Sequence, residues 1–516
     1  LRIGDCGLRI GKTAGFRNPK SEFRNQIPRD SRRDTNGPAA LIVRAEWRRY
    51  RELTRPTPIP LRLSPQSPFV ESPKRFSITT TVLLLLVLLL PAGIYYGLAA
   101  TEPVAPVIEV ANDRENPPVS EIRFIKGRLG AEPKFPAIIT NVQIVDFDRD
   151  GLPDVIACDA QRGRVLWHRQ VKRGEWQEIV LNTDQLLPSP GRATVIDLDK
   201  DGDNDLLVAC LGNYMPTDEH VGQAVWLEND GTNRFATHVL LQDVGRVTDV
   251  RAADLDGDGD VDLVVSAFGH LRGKVLWLEN DGKQRFREHE LLAMPGAIHV
   301  PLVDLDGDGD IDITVLLSQD EESVIAFENL GKGKFARQRT LFATSNFDLG
   351  TAGLVPCDLD NDGKTDFLLV AGDNLELHAN FPQPWHGCLW LHNRGGWRFE
   401  TKRLATFGGA YSAAVGDIDG DGDVDVVLVS MFNNWLRKDA VSIVWLENDG
   451  KQNFKTWRID QAPIEIATVA CGDLNGDGRA DIVAGSFHVV PPFNRLGRIT
   501  TWMSHTSVSQ GSAVKQ

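Results

Sequence analysis

Seven short stretches of this sequence place aspartates at alternate positions around a glycine. They are DFDRDGLPD from Asp146, DLDKDGDND from Asp197, DLDGDGDVD from Asp254, DLDGDGDID from Asp304, DLDNDGKTD from Asp358, DIDGDGDVD from Asp417 and DLNGDGRAD from Asp473. Carboxylates packed this closely repel one another, and Asp and Gly are poor strand formers, so a folded chain needs something to offset the charge. In a tight loop, alternation turns side chains 1, 3 and 5 inward, and glycine at 6 permits the sharp bend. The aspartate at 9 returns as the next strand begins. Hard divalent cations suit such a cage, since calcium takes roughly six to eight oxygen ligands and tolerates uneven geometry. The turn preference of Asp and Gly does not account for aspartate at 1, 3, 5 and 9 in six of the seven copies. An EF-hand needs a glutamate at position 12 between helices, whereas position 12 here is apolar, as at Ala157, Val208, Val265 and Val315.

The elements that must position these loops repeat with them. The motif recurs at intervals of 51, 57, 50, 54, 59 and 56 residues, the signature of a repeat architecture. A short apolar run precedes each copy and a β-branched run such as DLVVSAF or DVVLVS follows it, as expected of buried strands. After a variable loop comes a second signature: VWLENDG from Val225, VLWLENDG from Val275, VIAFENLG from Val324, CLWLHNRG from Cys388 and VWLENDG from Val444. Its Asn-x-Gly ending is a hairpin signal, and a Phe-led strand follows. Each unit therefore reads as a four-stranded antiparallel meander, and seven of them predict an all-β, seven-bladed β-propeller. The last unit ends at its third strand, RITTW (498–502), while an unassigned strand, EIRFIKGRL (121–129), precedes the first unit. That early strand is expected to complete the last blade and close the ring, leaving no open sheet edge.

Over roughly residues 117 to 505 the repeats resemble the FG-GAP or VCBS repeats of bacterial exported proteins and are similar to the calcium-loop blades of the integrin alpha-subunit propeller. The resemblance implies Ca²⁺ bound by side chains 1, 3, 5 and 9 with the backbone carbonyl at 7. Carried over, the ligand sets are Asp146, Asp148, Asp150 and Asp154; Asp197, Asp199, Asp201 and Asp205; Asp254, Asp256, Asp258 and Asp262; Asp304, Asp306, Asp308 and Asp312. The remaining loops supply Asp358, Asp360, Asp362 and Asp366; Asp417, Asp419, Asp421 and Asp425; and Asp473, Asn475, Asp477 and Asp481. Asn475 keeps an oxygen but loses a charge, so the seventh site is expected to be the weakest. Up to seven ions would be structural, linking folding to calcium. Such repeats occur in adhesins, in non-catalytic modules and in a few polysaccharide lyases, so the resemblance says less about role.

Charge and hydropathy bound the setting. Residues 1–76 carry 17 Lys and Arg against 7 Asp and Glu, so the chain's net −15 leaves −25 for the remainder. So acidic a body speaks against nucleic-acid binding. The six cysteines form no CxxC or CxxCH, which removes zinc-ribbon and haem readings, and Cys158 and Cys210 sit in apolar runs as buried thiols would. Residues 77–100 belong to an uncharged stretch long enough to span a bilayer, with Lys74 and Arg75 before it. It reads as a transmembrane anchor or a signal segment, with everything after it exported. The expected order is a basic tail (1–76), that segment, a linker (101–116), the propeller (117–505) and a tail (506–516). The basic N-terminal tail, in a chain with no Met before Met215, reads as a fragment or an over-extended reading frame.

In an antiparallel meander the metal loops and NDG turns share one face, and the variable loops occupy the other. Those loops carry Tyr214, Trp385, His386, Trp435 and His488, together with Asn213, His270, Asp320, Asn374 and Asn433 at one register. They form a candidate surface for a protein or glycan ligand, with the five polar residues expected around the channel mouth. The alternative is an exported enzyme, a polysaccharide lyase or a dehydrogenase, acting at that mouth. A deep pocket with converging His, Asp and Arg would favour the enzyme, and a flat aromatic surface the binder.

Overall fold

The structure, a computed structural model, describes residues 116–319, 322–375 and 382–505. The apolar segment at 77–100, the basic tail and Asp320 lie outside the described residues. Among the described residues no helix is long and apolar enough to cross a membrane.

Seven antiparallel sheets follow the seven repeats in order. The first blade runs Ile139–Val145, Asp154–Asp159, Arg164–Lys172 and Glu175–Val180 from the inside outward, and the others repeat this plan. The second strand of every blade is buried along its whole length, from DVIACD at Asp154–Asp159 to DIVAGS at Asp481–Ser486. That explains the uninterrupted apolar runs: each such strand is covered on both faces by neighbouring blades, so it has no solvent side on which to place polar residues. The core accordingly lies between blades. Ile156, Cys158 and Trp167 of the first blade pack with Leu206, Val208 and Val225 of the second, and equivalent clusters recur around the ring. Cys158, Cys210 and Cys388 are buried free thiols.

The ring closes as expected from the misplaced strand. Arg123–Leu129 pairs antiparallel with Ile499–His505, so the seventh blade is Ile466–Gly472, Asp481–Ser486, Ile499–His505 and then this early strand. One blade departs from the four-stranded plan. In the fourth, the inner strand is split into Ala297–His299 and Leu302–Val303. Pro301 sits in the gap and has no N–H to give to the ladder.

Side chains also tie the loop of one blade to the next blade. Asn329, Asn393 and Asn448 each donate a side-chain N–H to the carbonyl of the second loop residue of the preceding blade, Leu255 at 2.9 Å, Leu305 at 3.1 Å and Leu359 at 3.4 Å. Gln170 does the same across the closure, to Leu474 at 3.3 Å. The asparagine of the second sequence signature thus serves two ends: it shapes its own turn and anchors a neighbour's loop.

Candidate functional site

Each acidic loop is wound tightly by its own backbone. The glycine at position 6 has positive φ in all seven, from 82° at Gly363 to 100° at Gly202. A Cβ there would meet nothing nearby, so the φ value rather than space demands glycine. Position 4 is also left-handed, including three non-glycine residues, Arg149, Lys200 and Asn361. The aspartate at position 1 accepts the N–H of that glycine in every loop, for example Gly151 to Asp146 at 2.9 Å and Gly422 to Asp417 at 3.1 Å. This winding brings carboxylate oxygens of positions 1, 3 and 5 within 4.8 Å of one another in the Asp146, Asp197, Asp254 and Asp304 loops. These acidic clusters could hold metal ions.

The aspartates at position 9 behave differently. Asp154, Asp205, Asp262, Asp312, Asp366, Asp425 and Asp481 are all buried. Each accepts the N–H of loop position 2 and an N–H of the third strand, as Asp205 does from Leu198 at 3.2 Å and Asn229 at 2.7 Å. They knot the loop to its blade, a role that spacing alone did not reveal. Burial pushes the carboxyls of Asp205, Asp262 and Asp312 up to about 6 and that of Asp425 to about 7, against the hydrogen bonds that favour ionisation. At position 3, burial and the neighbouring aspartates raise Asp199, Asp256 and Asp306, and lift Asp419 to about 6. In addition Asp197 Oδ1 and Asp360 Oδ1 are buried without a hydrogen-bond partner. Crowded carboxylates with unsatisfied oxygens fit a cation.

The seventh loop carries its amide as expected, with Asn475 Oδ1 accepting the N–H of Asp477 at 2.9 Å and Nδ2 set 3.3 Å from Asp481 Oδ1. In the fifth blade His392, on the strand Gly387–Asn393 and stacked on Trp390, places Nε2 3.0 Å from Asp360 Oδ2 of the loop. Asp366 is close enough to make a three-residue group with them.

The inner strands surround a channel of about 430 Å³ lined from all seven blades. Every inner strand has a bulge at the same level, for instance between Ile139 and Asn141 and between Val247 and Asp249, which re-aims one side chain per blade. There Asp249, fully buried, lies 2.9 Å from Arg251 Nε, 3.8 Å from Arg192 Nε and 3.5 Å from His299 Nδ1. Burial would raise Asp249, but the two guanidinium groups outweigh it and hold its carboxyl well below the usual range. This is a convergence of His, Asp and Arg of the kind expected under the enzymatic alternative. His299 Nε2 lies 3.2 Å from the Ala352 carbonyl, which fixes the proton there, and Nδ1 then accepts from Arg192 at 2.8 Å. Both ring nitrogens are occupied, and burial lowers the imidazole's pKa, so His299 is not a free base.

A family model, FG-GAP-like repeat, matches residues 146–208, 197–265, 304–369 and 430–484. The chain carries FG-GAP-like repeats. Among curated proteins, the T-cell immunomodulatory protein homolog of Plasmodium falciparum (isolate 3D7) is 24% identical over 265 residues, 49% of this chain and 31% of that protein. Its namesake in Plasmodium yoelii yoelii is 23% identical over 274 residues, 50% of this chain and 33% of that protein. The chain thus spans about a third of the length of the curated relatives it matches. Among solved structures, BBS1N in complex with ARL6DN aligns at TM-score 0.45 and 11% identity, over 74% of this chain and 98% of that chain. At that score nothing further about this chain follows from it.

On the face opposite the FG-GAP-like loops, the candidate ligand residues divide. Asn213 is exposed, while Tyr214 lines the channel and meets Phe487 edge to face at 6.3 Å. His270 and Asn433 are half-buried, as is Trp385, whose Nε1 donates to the Asp348 carbonyl. Asn374, His386, Trp435 and His488 are buried. His386 Nδ1 accepts the N–H groups of Gly409 at 3.0 Å and Gln383 at 3.2 Å, Trp435 Nε1 donates to Met431 O at 3.0 Å, and His488 Nδ1 lies 3.1 Å from Glu465. These three shape their loops from within. Asn213, His270, Asn374 and Asn433 do not line the channel; Tyr214, Arg246, Ser318 and Asp373 are among the residues that do. The exposed apolar residues are others: Phe135, Leu186, Met215, Leu271, Phe347, Leu436 and Phe493. Phe135, Phe347 and Phe493 are aromatic residues of connecting loops, so part of the signal lay in the sequence, but only burial separates them from aromatics such as Trp435 that turn inward.

Proposed function

We propose that this protein is an exported, calcium-stabilised FG-GAP-like propeller that binds a protein or glycan ligand through its variable-loop face, held at a membrane by the segment at 77–100. One observation carries the reading. Of the twelve large apolar side chains that are exposed among the described residues, seven lie on 2-to-3 or 4-to-1 connections, and one, Leu330, lies on a turn of the metal-loop face. Apolar side chains gathered on one face and carboxylates on the other are what a docking surface set on a metal-braced scaffold would show. The relatives' name, which speaks of T-cell modulation, accords with an interaction role.

In this reading, calcium neutralises the loop carboxylates and so stiffens the corner of each blade. Positions 1, 3 and 5 hold the ion, and the position-9 aspartates hold the loop to its blade. The test uses an array of glycans and cell-surface proteins probed with the intact protein. Replacing Leu271, Phe347, Leu436 and Phe493 by Asp should abolish binding, and Leu330→Asp should leave it unchanged. Equal binding by all variants would refute the assignment of the face. Thermal melts should fall on adding EGTA, and an unchanged melting temperature would refute the calcium role.

A further inference from the structure

The seven acidic loops differ in one neighbour that their own motif does not contain. The third-strand residue just before the one whose N–H reaches the position-9 aspartate is Glu228, Glu279, Glu328 and Glu447 in the second, third, fourth and sixth blades. It is His392 in the fifth and Met503 in the seventh. In the second and fourth blades this glutamate adds to the repulsion felt by the position-3 aspartates Asp199 and Asp306. In the first blade the same register holds Arg169. Its guanidinium lies over Trp167, at 5.7 Å from the ring, with Nε 2.6 Å from Asp148 Oδ2 and Nη2 3.4 Å from Asp150 Oδ2.

We infer that the first loop takes no divalent cation: Arg169 supplies its counter-charge from within the chain, so the propeller binds calcium only in other loops. This rests on the calcium reading above and refines it. A guanidinium is always charged and pairs with carboxylates as a fixed fork. Two of the three inward carboxylates of this loop, positions 3 and 5, lie within ion-pair distance of it, Nε facing Asp148 without an aligned hydrogen bond and Nη2 donating to Asp150. Asp148 Oδ1 remains buried and unpartnered, but an ion drawn to it would meet the guanidinium on the same carboxylate. The loop beside the closure would then be formed at any calcium concentration, and the weakest member of the set would be the first loop rather than the seventh.

Counting bound calcium per chain by native mass spectrometry on the intact protein tests this. Asp148→Ala should leave the wild-type number unchanged, Asp256→Ala in the third loop, which removes the position-3 oxygen altogether, should lower it by one, and Arg169→Glu, which copies the sibling blades, should raise it by one. Near-UV circular dichroism in saturating calcium confirms that each variant is folded. Loss of one ion in Asp148→Ala, or no gain in Arg169→Glu, overturns the inference and leaves the calcium reading standing. No bound calcium in any variant overturns both.

Discussion

Replacing Asp205 by alanine separates the two roles that the loop aspartates combine. Its carboxylate, 1% exposed, accepts from Asn229 N at 2.7 Å, Leu198 N at 3.2 Å and Trp226 Nε1 at 2.9 Å. Removing it strands three buried donors, each worth about 1 to 3 kcal/mol. Burial pushes the same carboxyl up to about 6, so its charged form is itself disfavoured and deletion returns part of the loss. The expected net destabilisation is about 3 kcal/mol. The measurement is the urea midpoint in saturating calcium and in EGTA, with Asp201→Asn, an exposed position-5 residue, alongside. Asp205→Ala should lower the midpoint in both media, and Asp201→Asn should lower it in calcium alone. If Asp205→Ala matters only when calcium is present, the knotting role is wrong and position 9 acts as a ligand and nothing more.

Two further outcomes follow from the same geometry. Burial holds His386 neutral, with its pKa lowered to about 4 from 6.5, so the folded state binds fewer protons than the unfolded one between those values. Its contribution is complete above pH 6.5 and is lost as pH falls toward 4, a change on the order of 3 kcal/mol. A His386→Gln variant should flatten the urea-midpoint profile across that window, and an unaltered profile would count against it. A chain beginning at residue 131 lacks the strand Arg123–Leu129 and leaves Ile499–His505 as an open edge. Compared with a chain beginning at residue 117, it should melt lower and scatter light on standing. Equal melting would show that closure adds nothing.

The sequence by itself determined everything that repeats locally. Alternating aspartates, a glycine at a positive-φ position, a β-branched run and an Asn-x-Gly turn are each written within about ten residues, and their sevenfold recurrence specifies a propeller. Ring closure was legible for the same reason: EIRFIKGRL was a strand without a blade and RITTW a blade without its last strand. Pro301 was visible too, although that it would split an inner strand depended on its nitrogen, which carries no hydrogen, falling on a ladder position.

What only the tertiary structure decided are contacts between residues far apart in the chain. Arg169 reaches Asp148 from another strand of the same blade, Asn329 reaches Leu255 across 74 residues, and Asp249 meets Arg192 and His299 from neighbouring blades. Loop side chains follow the same rule. Trp435 and His488 have the composition of a recognition surface, yet both are buried, because a long loop satisfies its own backbone before it meets solvent. Periodicity fixes which residues begin a strand or a turn. Which side chain then fills a space, neutralises a charge or stays exposed depends on neighbours that only the closed ring brings together.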